Sequence, residues 1–378
     1  MTVGIVGAGQ LGRMLALAGY PLGLDFLFLD RAAAVPAAAL APVLVGEFTD
    51  RALLRRLARR CAVLSFDWEN VSVAALRAAT RGLRTRIAPP LRALATGQDR
   101  LAEKRLFERL GVPTTRYRAV DTRAGLERAC AHIGMPGVLK TRRLGYDGKG
   151  QALIRSRADL AAAWQALRGA PLLYEELVEF EAEVSALGVR GRDGSEALYP
   201  LTRNWHADGM LRLSVAPWEA PALERQARSH LRAVLRDFNY VGTLAIEFFV
   251  RDGRLIANEL APRVHNSGHW TIEGAVTSQF ENHLRAVAGL PLGSTAAVGH
   301  AAMVNLIGRM PPRAPLLAMA GVHLHDYGKE ARPGRKLGHC TLVAPSARER
   351  DRRTRRLLRT LAQALGEPPL ERGGARGA

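Results

Sequence analysis

Two glutamates, Glu247 and Glu259, sit inside otherwise apolar runs, LAIEFFV at 244–250 and LIANEL at 255–260. A carboxylate inside an apolar strand costs free energy unless it is paired or holds a cation. Two such acids near a phosphate loop are a usual way to hold Mg2+ against a nucleotide. The runs flank Arg251-Asp252-Gly253-Arg254, so an antiparallel hairpin is expected. A two-residue Asp252-Gly253 turn would send the acids to opposite faces. For both to share one site, the hairpin needs an odd-length loop or a bulge. Next comes APRVHNSGHW (261–270), which gathers Arg263, His265 and His269 among small polar residues that packing does not explain.

Four further stretches suit anions or a nucleotide. Gly7-Ala8-Gly9-Gln10-Leu11-Gly12 lies between an apolar run and helical spacing, and Asp30 ends the next apolar run. Spacing and acid fit a dinucleotide fingerprint, with a phosphate at the helix N-terminus. An NAD-dependent oxidoreductase, another phosphate ligand and a bare turn all remain open on this motif. Arg142–Gly150 follows a strand ending at Lys140, and a glycine loop with basic flanks can fold over a triphosphate, or be a plain hairpin. Tyr174-Glu175-Glu176-Leu177-Val178 offers backbone groups to a base and carboxylates to sugar hydroxyls. Tyr327-Gly328-Lys329, followed by Arg332-Pro333-Gly334-Arg335-Lys336, suits a rigid anion-binding loop or a solvated turn.

The elements that must carry these residues follow from periodicity. Short apolar strands at 3–6, 26–29 and 62–66 alternate with helices at 11–19 and 51–60, which implies a parallel sheet with helices on both faces. Ala88-Pro89-Pro90 breaks the pattern before a helix at 99–110. Strands are expected at 137–140, 172–176, 184–189, 244–250 and 255–260, and a long helix at 222–238; the composition shifts again after Gly293. The tail from Arg348 holds nine arginines against four acids and reads as a solvated helix at 348–365 with a frayed end.

Composition narrows the class. The 378 residues suffice for two or three domains, and 48% hydrophobic with 24% charged residues is globular composition. Three scattered cysteines exclude a disulfide framework or a cysteine zinc site and fit a reducing cytoplasm. No apolar run is long enough to span a membrane, and the glycine-rich N-terminus does not suit a signal peptide. The net charge of +19 comes from five lysines and 49 arginines. That skew, with abundant alanine, looks like coding bias rather than a basic face, so nucleic acid is not the expected partner. A lysine kept against the bias is then a signal of chemistry.

Together the motifs resemble N5-carboxyaminoimidazole ribonucleotide synthetases, ATP-grasp enzymes of purine biosynthesis. The likeness rests on GAGQLGRMLALAGYPLG, ENV at 69–71, QDRLAEK at 98–104, GYDGKGQ, YVGTLAIEFFV, NELAPRVHNSGHWTIEGAVTSQFENHLRA, MVNLIG and RPGRKLGH, in family order along nearly the whole chain. It implies a mixed α/β and α+β fold: a Rossmann-like N-terminal domain (1–90), an ATP-grasp body (91–295) with a lid at about 113–178, and a C-terminal α+β part (296–378). It implies ATP-driven carboxylation of aminoimidazole ribonucleotide by bicarbonate through carboxyphosphate, in a site that closes against water. Other ATP-grasp ligases of the pathway and a non-enzymatic nucleotide-binding protein are the alternatives.

The same resemblance implies residue roles. Arg100 and Lys140 would hold ATP phosphates under the loop Gly145, Tyr146, Asp147, Gly148, Lys149, Gly150 and Gln151. Glu175, Glu176, Leu177 and Val178 would meet adenine, Glu183 the ribose, and His206 and Asn258 would lie near the nucleotide. Glu247 and Glu259 would bind Mg2+, the cofactor of the ATP. Arg263 and His265, with Asp147 and Lys149, would serve the chemistry. Gln10, Leu11, Glu69, Tyr146, Asp147, Lys329 and Arg335 would surround the ribonucleotide, so the glycine turn would serve that substrate. Two positions depart from expectation. Ala261 stands where many ATP-grasp enzymes have asparagine, leaving the two glutamates, phosphates and water around the metal. Asp67 stands where glutamate is expected. The resemblance also implies a cytoplasmic homodimer that could hand its labile product to a mutase.

Overall fold

The computed structural model describes residues 1–145 and 150–366. The loop residues Tyr146, Asp147, Gly148 and Lys149 and the last twelve residues lie outside them. The first sheet is wholly parallel, in the order Val43–Val45, Asp25–Asp30, Thr2–Val6, Val63–Phe66 and Arg86–Ile87. Continuous apolar sequence suits strands covered on both faces. The Arg51–Arg60 helix covers one face with Leu54, Leu57 and Ala58, and Asp50 caps its N-terminus by accepting from Ala52 and Leu53.

A four-stranded antiparallel sheet follows, ordered Tyr117–Val120, Leu172–Glu176, Gly137–Thr141 and Gln151–Ile154. The third sheet has nine antiparallel strands. Arg254–Ala261 lies at its edge, then Gly242–Arg251 and Ala182–Arg190, and it runs on through His300–Ile307 to Lys336–Ala344 and Val322–Asp326. Middle and C-terminal strands are therefore one sheet. Its core packs against the Pro221–Asp237 helix through Leu223, Ala227, Leu231, Val234 and Leu235.

The C-terminal helix, Ala347–Leu365, is not simply solvated. Leu357, Leu358 and Leu361 are buried with Val304, Cys340 and Leu342, so one face packs on the sheet; Arg350 is buried too and donates to the Pro217 carbonyl, while Arg348, Arg352, Arg355, Arg356 and Arg359 are exposed.

The hairpin resolves the parity conflict in an unexpected way. The plain two-residue turn forms: Asp252 and Gly253 both have positive φ, 51° and 68°, the geometry Asp-Gly favours. A register shift then falls between Glu247 and Phe248. Phe248 pairs with Ala257, and Glu247 pairs with Glu259, leaving Asn258 as the extra residue. The loop is not odd in length; the bulge alone puts both carboxylates on one face.

Candidate active site

A cavity of about 980 Å³ opens between the three sheets. Nineteen of the residues to which the resemblance gives a role line it. At its nucleotide-side wall are Arg100, Lys140, Gln151, Glu175, Glu176, Leu177, Val178, Glu183 and His206; Glu247, Asn258, Glu259, Arg263 and His265 follow; Gln10, Leu11, Glu69, Lys329 and Arg335 complete it. Gly145 lines a narrow adjoining recess with Arg100 and Glu259. Gly150 does not line the cavity; its carbonyl accepts from Thr141 N–H and closes the hairpin. Trp68, Phe180, Phe249, His269 and Lys336 also line it. Of these, His269 and Lys336 stood inside motifs already noticed, whereas the Phe180–Phe249 stack, at 4.8 Å between ring centres, leaves no polar signal in sequence.

The nucleotide side corrects the reading of the two strand-end acids. Glu175 is buried, and its carboxylate receives Lys140, Lys104 at 3.2 Å and the Thr115 hydroxyl at 2.8 Å. Burial opposes its ionisation, yet the ammonium groups of Lys104 and Lys140 outweigh that and hold its pKa far below the usual range. Burial in turn lowers the pKa of Lys140, with Glu175 opposing. Glu176 pairs with Arg116 at 2.8 Å. Both carboxylates are thus committed to cations, whereas Glu183 lines the cavity with no Lys or Arg pair among the described residues. The Glu183 carboxylate accepts from His206 Nδ1–H across 2.8 Å. Burial alone would lower the His206 pKa, but Glu183 and Glu247 raise it. The loop flanks Arg142 and Arg143 rest on Asp99, at 2.9 and 3.3 Å, and line the adjoining recess with Gly145.

Between the two ends stand the paired glutamates. Burial pushes the Glu247 pKa up to about 7, opposed by His206 and reinforced by Glu259. Arg100 lies 3.5 Å from Glu259, and His265 Nε2 3.7 Å from Glu247. Among the described residues no group of three or more His, Cys, Asp or Glu side chains converges as a metal site. The pairing of Glu247 with Glu259 on one face fits a divalent cation, whose other ligands would have to be phosphate and water.

Arg263 is held by Glu69: Nε–H donates to Oε2 at 3.0 Å, NH2 approaches it at 2.8 Å, and NH1 donates to the Val264 carbonyl. Three of five donors are engaged, which leaves two for a small planar anion. Burial, then Arg263 and Lys336, press the His265 pKa well below the ordinary value, so the ring is neutral. Its backbone N–H and carbonyl both bond the Gln279 amide.

At the far end Lys329 donates to Gln10, 319 positions away. Burial and then Arg335 lower the Lys329 pKa to about 8. The glycine turn is not an open phosphate cradle. Ala8 N–H already donates to Asp30 Oδ2 at 2.7 Å. Asp67, 8% exposed, fills the space beside Gly9 and Gly12, where an added Cβ would meet its Oδ2 at 2.9 and 3.2 Å. The glycines make room for the chain's own carboxylates, and Lys329, Arg335 and Lys336 line the same end of the cavity.

A small antiparallel sheet presenting Lys140 over a large one presenting paired glutamates is the ATP-grasp arrangement, and the chain is an ATP-grasp ligase. Residues 105–280 match the ATP-grasp domain, residues 1–98 the ribonucleotide synthetase preATP-grasp domain, and residues 301–353 the phosphoribosylaminoimidazole carboxylase C-terminal domain. The chain belongs to the N5-carboxyaminoimidazole ribonucleotide synthase family. It is 51% identical to that synthase of Pseudomonas aeruginosa over 342 residues, 90% of this chain and 94% of that protein. The N5-carboxyaminoimidazole ribonucleotide synthetase structure from Thermus thermophilus superposes with a TM-score of 0.91 at 50% identity, covering 98% of this chain and all of that one. The Aspergillus clavatus synthase, crystallised with ADP and 5-aminoimidazole ribonucleotide, gives 0.89 at 30% identity, covering 96% and 98%.

Proposed function

We propose that this enzyme carboxylates the amino group of 5-aminoimidazole ribonucleotide with bicarbonate, converting ATP to ADP and phosphate, in de novo purine biosynthesis. The observation that carries the reading is the continuity of one cavity from Lys140 and Glu183, past Glu247 and Glu259, to Gln10 and Lys329. A phosphate donor at one end and a phosphorylated acceptor at the other then meet at Arg263 and His265. Lys140 and Arg100 neutralise ATP phosphates, and Glu183 takes the ribose. Mg2+, when bound by Glu247 and Glu259, offsets charge on the transferring phosphate. The two free donors of Arg263 fix bicarbonate, which attacks the γ-phosphorus to give carboxyphosphate. Neutral His265 orients that intermediate or takes the proton the amine must lose. Lys329 and Arg335, with Lys336, hold the ribonucleotide phosphate. Asp147, Lys149, Tyr146 and Gly148 belong to the loop assigned to closing over the nucleotide.

The domain division proposed from sequence (1–90, 91–295 with a lid at about 113–178, and 296–378), a homodimer, a cytoplasmic location and hand-off of the product to a mutase belong to the same reading. No described helix is long and apolar enough to cross a membrane. The test is ADP release with ATP, Mg2+, bicarbonate and aminoimidazole ribonucleotide, omitting each in turn. Turnover that needs all four supports the assignment; full turnover without the ribonucleotide overturns it.

A further inference from the structure

Glu103 and Lys104 stand outside every role assigned so far. They follow Arg100 on the Arg100–Arg109 helix, and each is only 2% exposed. An ammonium carries three N–H donors. Three oxygens surround that of Lys104: the Ala257 and Asn258 carbonyls, each at 3.3 Å, and Glu175 Oε2 at 3.2 Å. Glu103 accepts from the Leu260 N–H. The pair thus brackets residues 257–260, the segment that contains the bulge. That strand is the edge of its sheet; at Ala257 its N–H donates to the Pro113 carbonyl at 2.7 Å, but among the described residues no further strand pairs with the outer side of 258–260. A bulge adds to the unpaired groups, and buried unpaired groups disfavour the conformation that exposes them. Thr114, which donates to the Ala257 carbonyl at 2.8 Å, supports only one end of the segment.

We propose that Glu103 and Lys104 are positioning residues that hold the Asn258 bulge, and with it Glu259 opposite Glu247, while Lys104 also fixes the Glu175 carboxylate against which Lys140 is set. The proposal rests on the reading of the two glutamates as the metal pair. Lys104 ties the edge strand to Glu175 on the small sheet, so the metal carboxylates and the phosphate lysine share one anchor. Its residue type agrees: with five lysines against 49 arginines in the chain, a lysine here marks a need for a compact three-donor head that a planar guanidinium does not meet.

The test uses full-length Lys104→Met and Lys104→Gln, with Glu259→Gln as reference. Circular dichroism and thermal melting first establish that each variant is folded at the assay temperature. Mn2+ binding in the presence of a non-hydrolysable ATP analogue is then measured by electron paramagnetic resonance, alongside the Mg2+ dependence of turnover. Lys104→Met is expected to raise the Mn2+ and Mg2+ half-saturation concentrations about tenfold or more, the range for groups that orient metal ligands. Its kcat should return to within a few-fold of wild type at saturating Mg2+, whereas Glu259→Gln should not be recovered. A lysine that served folding alone would lower the melting temperature without moving half-saturation. Should Lys104→Met fail to fold, Lys104→Gln, which keeps a donor, gives the same readout. Unchanged half-saturation in a folded Lys104 variant overturns the proposal. Equal Mn2+ binding by wild type and Glu259→Gln overturns instead the metal reading on which it rests.

Discussion

At the scale of single residues, Lys329 shows how burial becomes a functional property. Its pKa is lowered to about 8 by desolvation and by Arg335, and it must be cationic to hold a phosphate dianion. Above that pH the free enzyme loses the proton, so affinity for the ribonucleotide should fall, by up to about tenfold per pH unit. The check is KM for the ribonucleotide between pH 7 and 9.5: it should climb above pH 8 in wild type and stay flatter in Lys329→Arg, while KM for ATP follows a different course. Arg263 makes a second case. Glu69 already fixes it, so on the proposed reading its remaining donors are preorganised for a developing anion. Arg263→Ala should cut kcat by about 100- to 1,000-fold and leave binding of an ATP analogue within a few-fold. An unchanged kcat would remove Arg263 from the chemistry.

At the scale of elements, Asp99 does two jobs. It caps the Arg100–Arg109 helix by accepting from Leu101 and Ala102, and it anchors Arg142 and Arg143 beside the nucleotide loop. Asp99→Ala should lose about 1 kcal/mol for the cap, and should also raise KM for ATP by freeing the loop flank. Asp99→Asn keeps an acceptor for the cap and should recover most of the stability but not the KM. Urea denaturation with steady-state kinetics separates the two effects.

The hairpin shows where sequence reasoning reaches and stops. Parity of position required that something shift the register between Glu247 and Glu259, and a shift is there. Whether turn or strand supplied it was not legible, because the Asn258 carbonyl and the Leu260 N–H beside the bulge are bonded by Lys104 and Glu103, more than 150 positions away. The same distance effect hid the fate of Glu175 and Glu176: their strand was evident from apolar spacing, but Lys104, Lys140 and Arg116 reach them only in the folded chain.

At the scale of the whole molecule, the three central strands of the parallel sheet were legible as continuous apolar runs alternating with helices, whereas the short edge strands Val43–Val45 and Arg86–Ile87 were not. The continuity of the large sheet into the C-terminal strands was not, since Lys336–Ala344 carries buried His339 and Thr341 and shows no apolar run to match its burial. Histidines also join the layers. His283 accepts from Thr243 N–H through Nδ1 at 3.1 Å, so its Nε2–H faces the Ser65 hydroxyl at 2.8 Å, linking the large sheet to the parallel one. Burial lowers its pKa to about 4. The unfolded chain therefore binds a proton that the folded chain refuses between about pH 6.5 and 4, and stability must fall as pH falls through that window. His283 alone accounts for up to about 1.4 kcal/mol per pH unit there. Unfolding free energies from pH 7 to 4 should fall less steeply in His283→Gln than in wild type; equal slopes would show that this histidine is not held neutral.

The central claim is that ATP activates bicarbonate by phosphorylating one of its oxygens, within a cavity that also holds the amine. Bicarbonate labelled with 18O, mixed with enzyme, ATP, Mg2+ and aminoimidazole ribonucleotide and quenched before the label exchanges with water, tests it most directly. Bond formation between a bicarbonate oxygen and the γ-phosphorus predicts that the released phosphate carries one labelled oxygen and that phosphate and carboxylated product appear in equal amounts. Phosphate released without label, while the ribonucleotide is still carboxylated, would contradict the account.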